Sequence, residues 1–304
     1  MNLMSLWNLQ GQLFSLLAVG AVLRKVGLFK ESAKGLLTDL VLYVTLPCSI
    51  ILSFRMDVSR ELLLSFSVIL FVSTGVQVFC YFLSKITFGK QDTRKRNVLR
   101  YGLLVSNAGF LGLPIAGELF GPTGLMYAAF YLIPQRVIMW TAGLSIFSSE
   151  AVSRKQAVRK VVLHPCMIAV YIGLLWMVFP VRIPPFVEMT LTSLGGCTTA
   201  LSMMLIGSLF AEMERDHLHL DRNLIGFTFL RLGVIPFASY VVTSLLGLDP
   251  LVIGVSVVLA AMPGGSSTVI LASKYEGDTI YASKLVIVST LLSLVSIPIW
   301  GMIL

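Results

Sequence analysis

Ser106-Asn107-Ala108-Gly109-Phe110-Leu111-Gly112-Leu113-Pro114-Ile115-Ala116-Gly117-Glu118-Leu119-Phe120-Gly121 is the stretch on which the reading of this chain turns. It lies inside an apolar segment long enough to cross a bilayer, yet it carries Gly109, Gly112, Pro114 and Gly117, which a membrane helix does not need for stability. Pro114 has no backbone N–H, so the Phe110 carbonyl loses its helical partner, and Gly109 and Gly112 let the backbone leave helical φ/ψ. A break near Pro114, at mid-membrane, is therefore expected. Lipid cannot satisfy the groups such a break frees, so it is tolerated only where protein or water surrounds it. The stretch reads as a site.

A second interruption, Ala260-Ala261-Met262-Pro263-Gly264-Gly265-Ser266-Ser267-Thr268, lies in a later apolar segment. After the first break the chain runs Phe120-Gly121-Pro122-Thr123-Gly124-Leu125-Met126-Tyr127-Ala128. After the second it runs Tyr275-Glu276-Gly277-Asp278-Thr279-Ile280-Tyr281-Ala282, which aligns with one gap. Interruptions at corresponding places in two halves of a chain point to a transporter's binding site.

Working outward, 56% hydrophobic and 12% charged residues in 304 make this a polytopic membrane protein. Ten apolar runs of spanning length lie near 7–26, 35–54, 62–84, 98–118, 125–148, 161–180, 188–210, 223–246, 250–272 and 280–303. The net charge of +8 does not mark a nucleic-acid binder, because Lys and Arg sit in short loops between spans. Alternate connections hold eighteen of them on one side and three, Arg55, Arg60 and Arg182, on the other. The basic loops are thus expected in the cytoplasm, with both termini outside an inner (plasma) membrane. The first run ends in Arg24-Lys25 with no small-residue cleavage site, so it reads as a retained span.

Five spans per half, an odd number, invert the second half relative to the first. The expected fold is all-α: two inverted five-helix repeats, 1–149 and 161–304, joined by a cytoplasmic linker at 150–160, with broken fourth and ninth helices. The first and sixth spans, with Gly11 and Gly20 and with His164-Pro165 and Gly173, read as helices at the repeat interface. Pro47 in the second span reads either as a plain kink or as a site residue. Its counterpart by order, Gly195-Gly196-Cys197-Thr198-Thr199 in the seventh, reads mainly as close helix packing.

Two basic residues remain at bilayer depth, Arg136 and Arg231. A buried arginine is costly and faces the bundle interior or a cavity. Acidic residues cluster at span ends, apart from Asp39 inside an apolar run. A positive midplane with half-helix N-termini should attract an anion, an organic carboxylate first of all. Ser106, Asn107, Ser266, Ser267 and Thr268 supply neutral donors beside the breaks. The residues expected to bind substrate are Asn107, Gly109, Gly112, Pro114, Arg136, Pro263, Ser266, Ser267 and Pro47. Asp39 and Glu118 are the candidates for proton coupling.

The four cysteines lie in apolar runs without CxxC or metal-ligand spacing, and neither a metal nor a cofactor is expected. Zinc-protease, membrane-aspartate and Gly-x-Ser-x-Gly patterns are missing, and His164, His217 and His219 stand at a span end or in an acidic loop, so an enzyme is not expected. The expected partners are membrane lipid and a small organic anion; monomer and homodimer both stay open. An anion channel is separated from a carrier by saturation and counterflow.

With Ser-Asn-Ala-Gly-Phe-Leu-Gly-Leu-Pro at 106–114, Leu23-Arg24-Lys25, Tyr43-Val44-Thr45-Leu46-Pro47, Pro263 and Ser289-Thr290-Leu291-Leu292-Ser293-Leu294, the chain resembles the auxin efflux carrier family, and most its bacterial malonate-transporter-like permeases. The resemblance covers essentially the whole chain. It implies ten spans with the fourth and ninth crossing at their prolines, and an elevator-like or rocking motion of that unit against a scaffold. It also implies small or aromatic carboxylates such as malonate, malate, lactate or indole-acetate as substrates. Gln135-Arg136 departs from the neutral Asn common there in the family, which leaves the substrate open. The rival within transport is a sodium-coupled symporter resembling the bile acid carriers.

Overall fold

The computed structural model describes residues 3–55, 60–89, 91–147, 154–179, 183–211, 221–275 and 277–304. Among them the chain is helical, and the only β-type pairing is one isolated antiparallel bridge, Ser106 with Gly264. Among the described residues, five stretches are long and apolar enough to cross a membrane: Gly35–Ser53, Leu62–Thr87, Pro185–Ser208, Arg222–Leu245 and Thr279–Ile303. Pro165–Val178 and Pro250–Ala260 are apolar but shorter. The acidic loop 212–220 and the first part of the 150–160 connection lie outside the described residues; α8 (Arg154–Val162) forms the rest of that connection.

The helices pack as two groups. In the first, α1 (Leu3–Lys25) lies on α10 (Pro185–Ala211), and α3 (Leu46–Ser53), which continues α2 (Glu31–Leu40), packs on α10 and on α9 (Pro165–Val178). Glycine makes these approaches possible: a Cβ on Gly20 would run into the Met204 carbonyl, one on Gly207 into the Leu17 carbonyl, and one on Gly173 into the Phe54 ring. Through these contacts α1 meets α10, and α9 meets α3. Gly11, by contrast, faces open space.

In the second group α4 (Arg60–Thr87) packs on α5 (Thr93–Leu104) and α6 (Leu113–Ile138). Then α13 (Pro250–Ala260) packs on α6 and on α12 (Ile235–Leu245), and α15 (Thr279–Ile303) packs on α5 and α14 (Ser267–Lys274). The groups meet where Phe54 touches Phe66 and Phe130, whose rings stack at 4.2 Å between centroids.

Three prolines are accommodated by one device. Five-residue π turns at Val41–Thr45, Ala108–Gly112 and Leu230–Val234 each end two residues before a proline, namely Pro47, Pro114 and Pro236. In each case the residue just before the proline donates its N–H five residues back: Leu46 to Val41, Leu113 to Ala108, Ile235 to Leu230. The wider turn moves backbone away from a ring that would clash with the carbonyl four residues earlier. Pro236 frees the Leu232 carbonyl in this way, and the Trp300 indole N–H donates to it at 2.9 Å.

This corrects the expected position of the first break. The chain does not interrupt at Pro114, where helix runs through the π turn into α6. It interrupts at Val105–Asn107, directly after α5. Gly121, with φ 67° and ψ −163°, supplies the next bend, and Pro122 restarts the helix after it.

Candidate functional site: the helix crossing

Interrupting two helices at depth frees backbone groups that must find partners. The segments 105–107 and 261–266 solve this by pairing with each other. Asn107 N–H donates to the Pro263 carbonyl at 2.8 Å and Gly265 N–H to the Val105 carbonyl at 2.9 Å. Gly265 suits this close approach, since a Cβ would stand a tight 3.1 Å from the Val105 oxygen and 3.2 Å from that of Ser106.

Side chains from three further helices complete the pairing. Gln135 on α6 donates to the Ser106 carbonyl at 2.9 Å and accepts from the Ser106 hydroxyl at 2.8 Å. Ser289 on α15 accepts from Gly264 N–H at 3.2 Å. Arg231, in the π turn between α11 (Arg222–Phe229) and α12, donates through Nε to the Met262 carbonyl at 2.8 Å and through Nη1 to the Leu103 carbonyl at 3.2 Å. Asn107 differs from these: its carbonyl accepts from Leu111 and Gly112, but its side-chain amide has no hydrogen-bond partner among the described residues.

A cavity of about 360 Å³ lies between α3, the first part of α6 and α10, one helical turn and more beyond the paired segments, and neither they nor Arg136 line it. Pro114 and Glu118 line it from α6, Ser49 from α3, and Thr198 and Thr199 from α10. Ser49 Oγ donates to the Gly195 carbonyl at 2.9 Å and lies 3.0 Å from the Thr198 hydroxyl, while Thr199 donates to Glu118 at 3.2 Å. The cavity thus has one wall from each helix group, and Glu118 is the single titratable residue lining it among the described residues.

The profile of the membrane transport protein family matches residues 11–301. This chain belongs to that family. An uncharacterized transporter of Methanocaldococcus jannaschii is 27% identical over 297 residues, 95% of this chain and 96% of the relative. One of Methanothermobacter thermautotrophicus is 26% identical over 293 residues, 95% of each chain. As a member of the membrane transport protein family, the chain is a membrane protein with a small-molecule substrate, in keeping with the carrier resemblance of its sequence.

Within this transporter the residues singled out from sequence fall into distinct places. Asn107 and Pro263 are bonded across the crossing. Gly109 faces open space, whereas a Cβ on Gly112 would stand 2.7 Å from Leu259 of α13, so only the first is accessible. Pro114 lines the cavity with Glu118. Pro47 is half-buried, between the cavity residues Leu46 and Ser49. Ser267 lies 3.2 Å from the Tyr101 hydroxyl, and Ser266 is half-buried at the start of α14. Asp39 is exposed on α2.

Arg136 lies on α6 next to Gln135 and interacts electrostatically with His164, Cys166 and Tyr171 of the α9 end. It is 6% exposed, and its Nη1 has no hydrogen-bond partner among the described residues. Sequence reasoning named Gln135 and Ser289 within the family resemblance and not as site residues, and it read Gly195–Thr199 chiefly as packing; that run both packs and lines the cavity. The available signal was simple: each is polar or small at the same depth as a break.

Proposed function

We propose that this chain is a secondary carrier for a small organic anion, a carboxylate such as malonate, malate, lactate or an auxin-like acid. In this reading the chain has ten spans as two inverted five-span repeats, 1–149 and 161–304, joined at 150–160. The crossing and the helices packed on it move against the group of α1, α3, α9 and α10, and the cavity between them receives substrate. Basic loops face the cytoplasm and both termini the outside.

One observation carries the substrate class. Arg136 and Arg231 are both buried, while no carboxylate among the described side chains is buried. Two fixed positive charges in a low-dielectric bundle, with half-helix N-termini at Ala108 and Ser267, favour an anionic occupant. The cavity's volume suits a small acid. Asn107, Gly109, Ser266 and Ser267 supply donors at the crossing, and the unpartnered nitrogen of Arg136 supplies the counter-charge. Glu118 in the cavity is the coupling group of this reading: protonated, it would cease to repel an arriving carboxylate.

The test is a thermal-shift screen of the purified protein against mono- and dicarboxylates, followed by counterflow uptake in proteoliposomes, because a ligand for the folded state raises its apparent stability by mass action. Stabilisation by a carboxylate, lost in Arg136→Gln, and saturable counterflow are the expected results. No response to any carboxylate, or conductance without exchange, would sink the proposal.

A further inference from the structure

We infer that the Arg231 guanidinium does at the crossing what a bound coupling cation would do, so that no sodium ion is held at that carbonyl pair. Leu103 lies in the last turn of α5 and Met262 in the interruption after α13. Their carbonyl oxygens converge on one spot, the negative ends of two interrupted helices, where an oxygen-coordinated cation would be stable. That spot is filled by Arg231, which is 2% exposed and bonds both oxygens at 2.8 and 3.2 Å. Cys80 Sγ, 3.9 Å from Nη1, closes the far side.

The geometry holds the guanidinium there. Arg231 sits in the π turn that precedes Pro236, and the carbonyl this proline frees, Leu232, is held by the Trp300 indole. A metal ion would need the same two oxygens and would have to displace a charge that is covalently part of the chain. A cation that cannot leave cannot carry the energy of an ion gradient. It still supplies, constantly, the positive charge that an anionic substrate requires beside the crossing. The consequence for transport rests on the carrier reading given above; the occupancy of the carbonyl pair does not.

The experiment therefore uses no organic substrate. The purified full chain is melted in sodium, potassium and choline chloride at equal ionic strength, as wild type, Arg231→Ala and Arg231→Lys. The wild type should melt alike in all three salts. Arg231→Ala should melt roughly 5–15 °C lower and recover part of that loss, saturably, on adding methylguanidinium or sodium to fill the vacated oxygens. Arg231→Lys, which keeps a charge but not the fork of donors, should fall between the two.

A sodium-specific rise in the wild type would overturn the inference, and that result needs no variant to fold. So would an Arg231→Ala protein that responds to neither cation, since the residue would then be an ordinary packing and hydrogen-bonding group. Counterflow into proteoliposomes with sodium replaced by choline is read separately. Absence of uptake for every carboxylate would defeat the carrier proposal and leave the melting result standing.

Discussion

Arg136 and Arg231 have the same side chain at comparable burial, in helices that both flank the crossing, and the structure uses them in opposite ways. Arg231 spends its donors on two main-chain oxygens released by helix breaks. Arg136 keeps a buried Nη1 without a partner among the described residues, within electrostatic range of His164, Cys166 and Tyr171. A buried charge whose donors are satisfied holds a fold together, whereas one left unsatisfied is a cost that a ligand can remove. The pair teaches that membrane depth alone does not say what an arginine is for. The direction of its donors does.

The largest effect should come from breaking the satisfied member. Arg231→Met removes donors from two buried carbonyls at once and is expected to cost about 3–5 kcal/mol of stability, read as a lower melting temperature. Arg136→Gln should leave the melting temperature of the unliganded protein unchanged or raise it slightly, because an unmatched guanidinium leaves a low-dielectric site. The same variant should weaken carboxylate binding roughly ten- to a hundredfold, measured by titration, since a charge-assisted contact is lost. If Arg136→Gln destabilised the protein as severely as Arg231→Met, the contrast would collapse.

Gln135→Ala sharpens the comparison between neighbours on one helix. Gln135 makes both of its contacts with Ser106, so its loss should cost about 1–3 kcal/mol, more than the loss of Arg136 although the removed group is neutral. The smallest contrast is between two glycines at the crossing. Gly265→Ala pushes a methyl against the Val105 and Ser106 oxygens and should cost about 1–3 kcal/mol. Gly109→Ala faces open space and should change stability by roughly 0.5 kcal/mol or less. Equal melting shifts for the two would mean that the backbone pairing of the breaks is looser than its hydrogen bonds indicate.

Much of this architecture was readable from residues. Prolines and glycines inside apolar runs announced both interruptions, because a missing N–H or Cβ acts locally. Where the first break falls was not readable. Pro114 is the strongest local disruptor in its segment, yet a π turn absorbs it, and the chain opens at Val105–Asn107, where 261–266 offers main-chain partners. That choice depends on a segment about 150 residues away in sequence, and local propensity carries no trace of it. The cavity had the same fate: Gly195-Gly196 signalled a close approach, but only the arrival of Ser49 and Pro114 turned that approach into a wall.

By itself the sequence determined the solvent of this protein, its helical character, the two weak points in its helices and the presence of two charges at depth. Those follow from composition and from backbone chemistry within one or two turns. Tertiary structure alone decided that the weak points hydrogen-bond each other, that Gln135 and Arg231 close that pairing, and that Arg136 Nη1 meets no partner among the described residues. Hydrogen-bond satisfaction is a property of which groups meet, and which groups meet is settled only when distant helices pack.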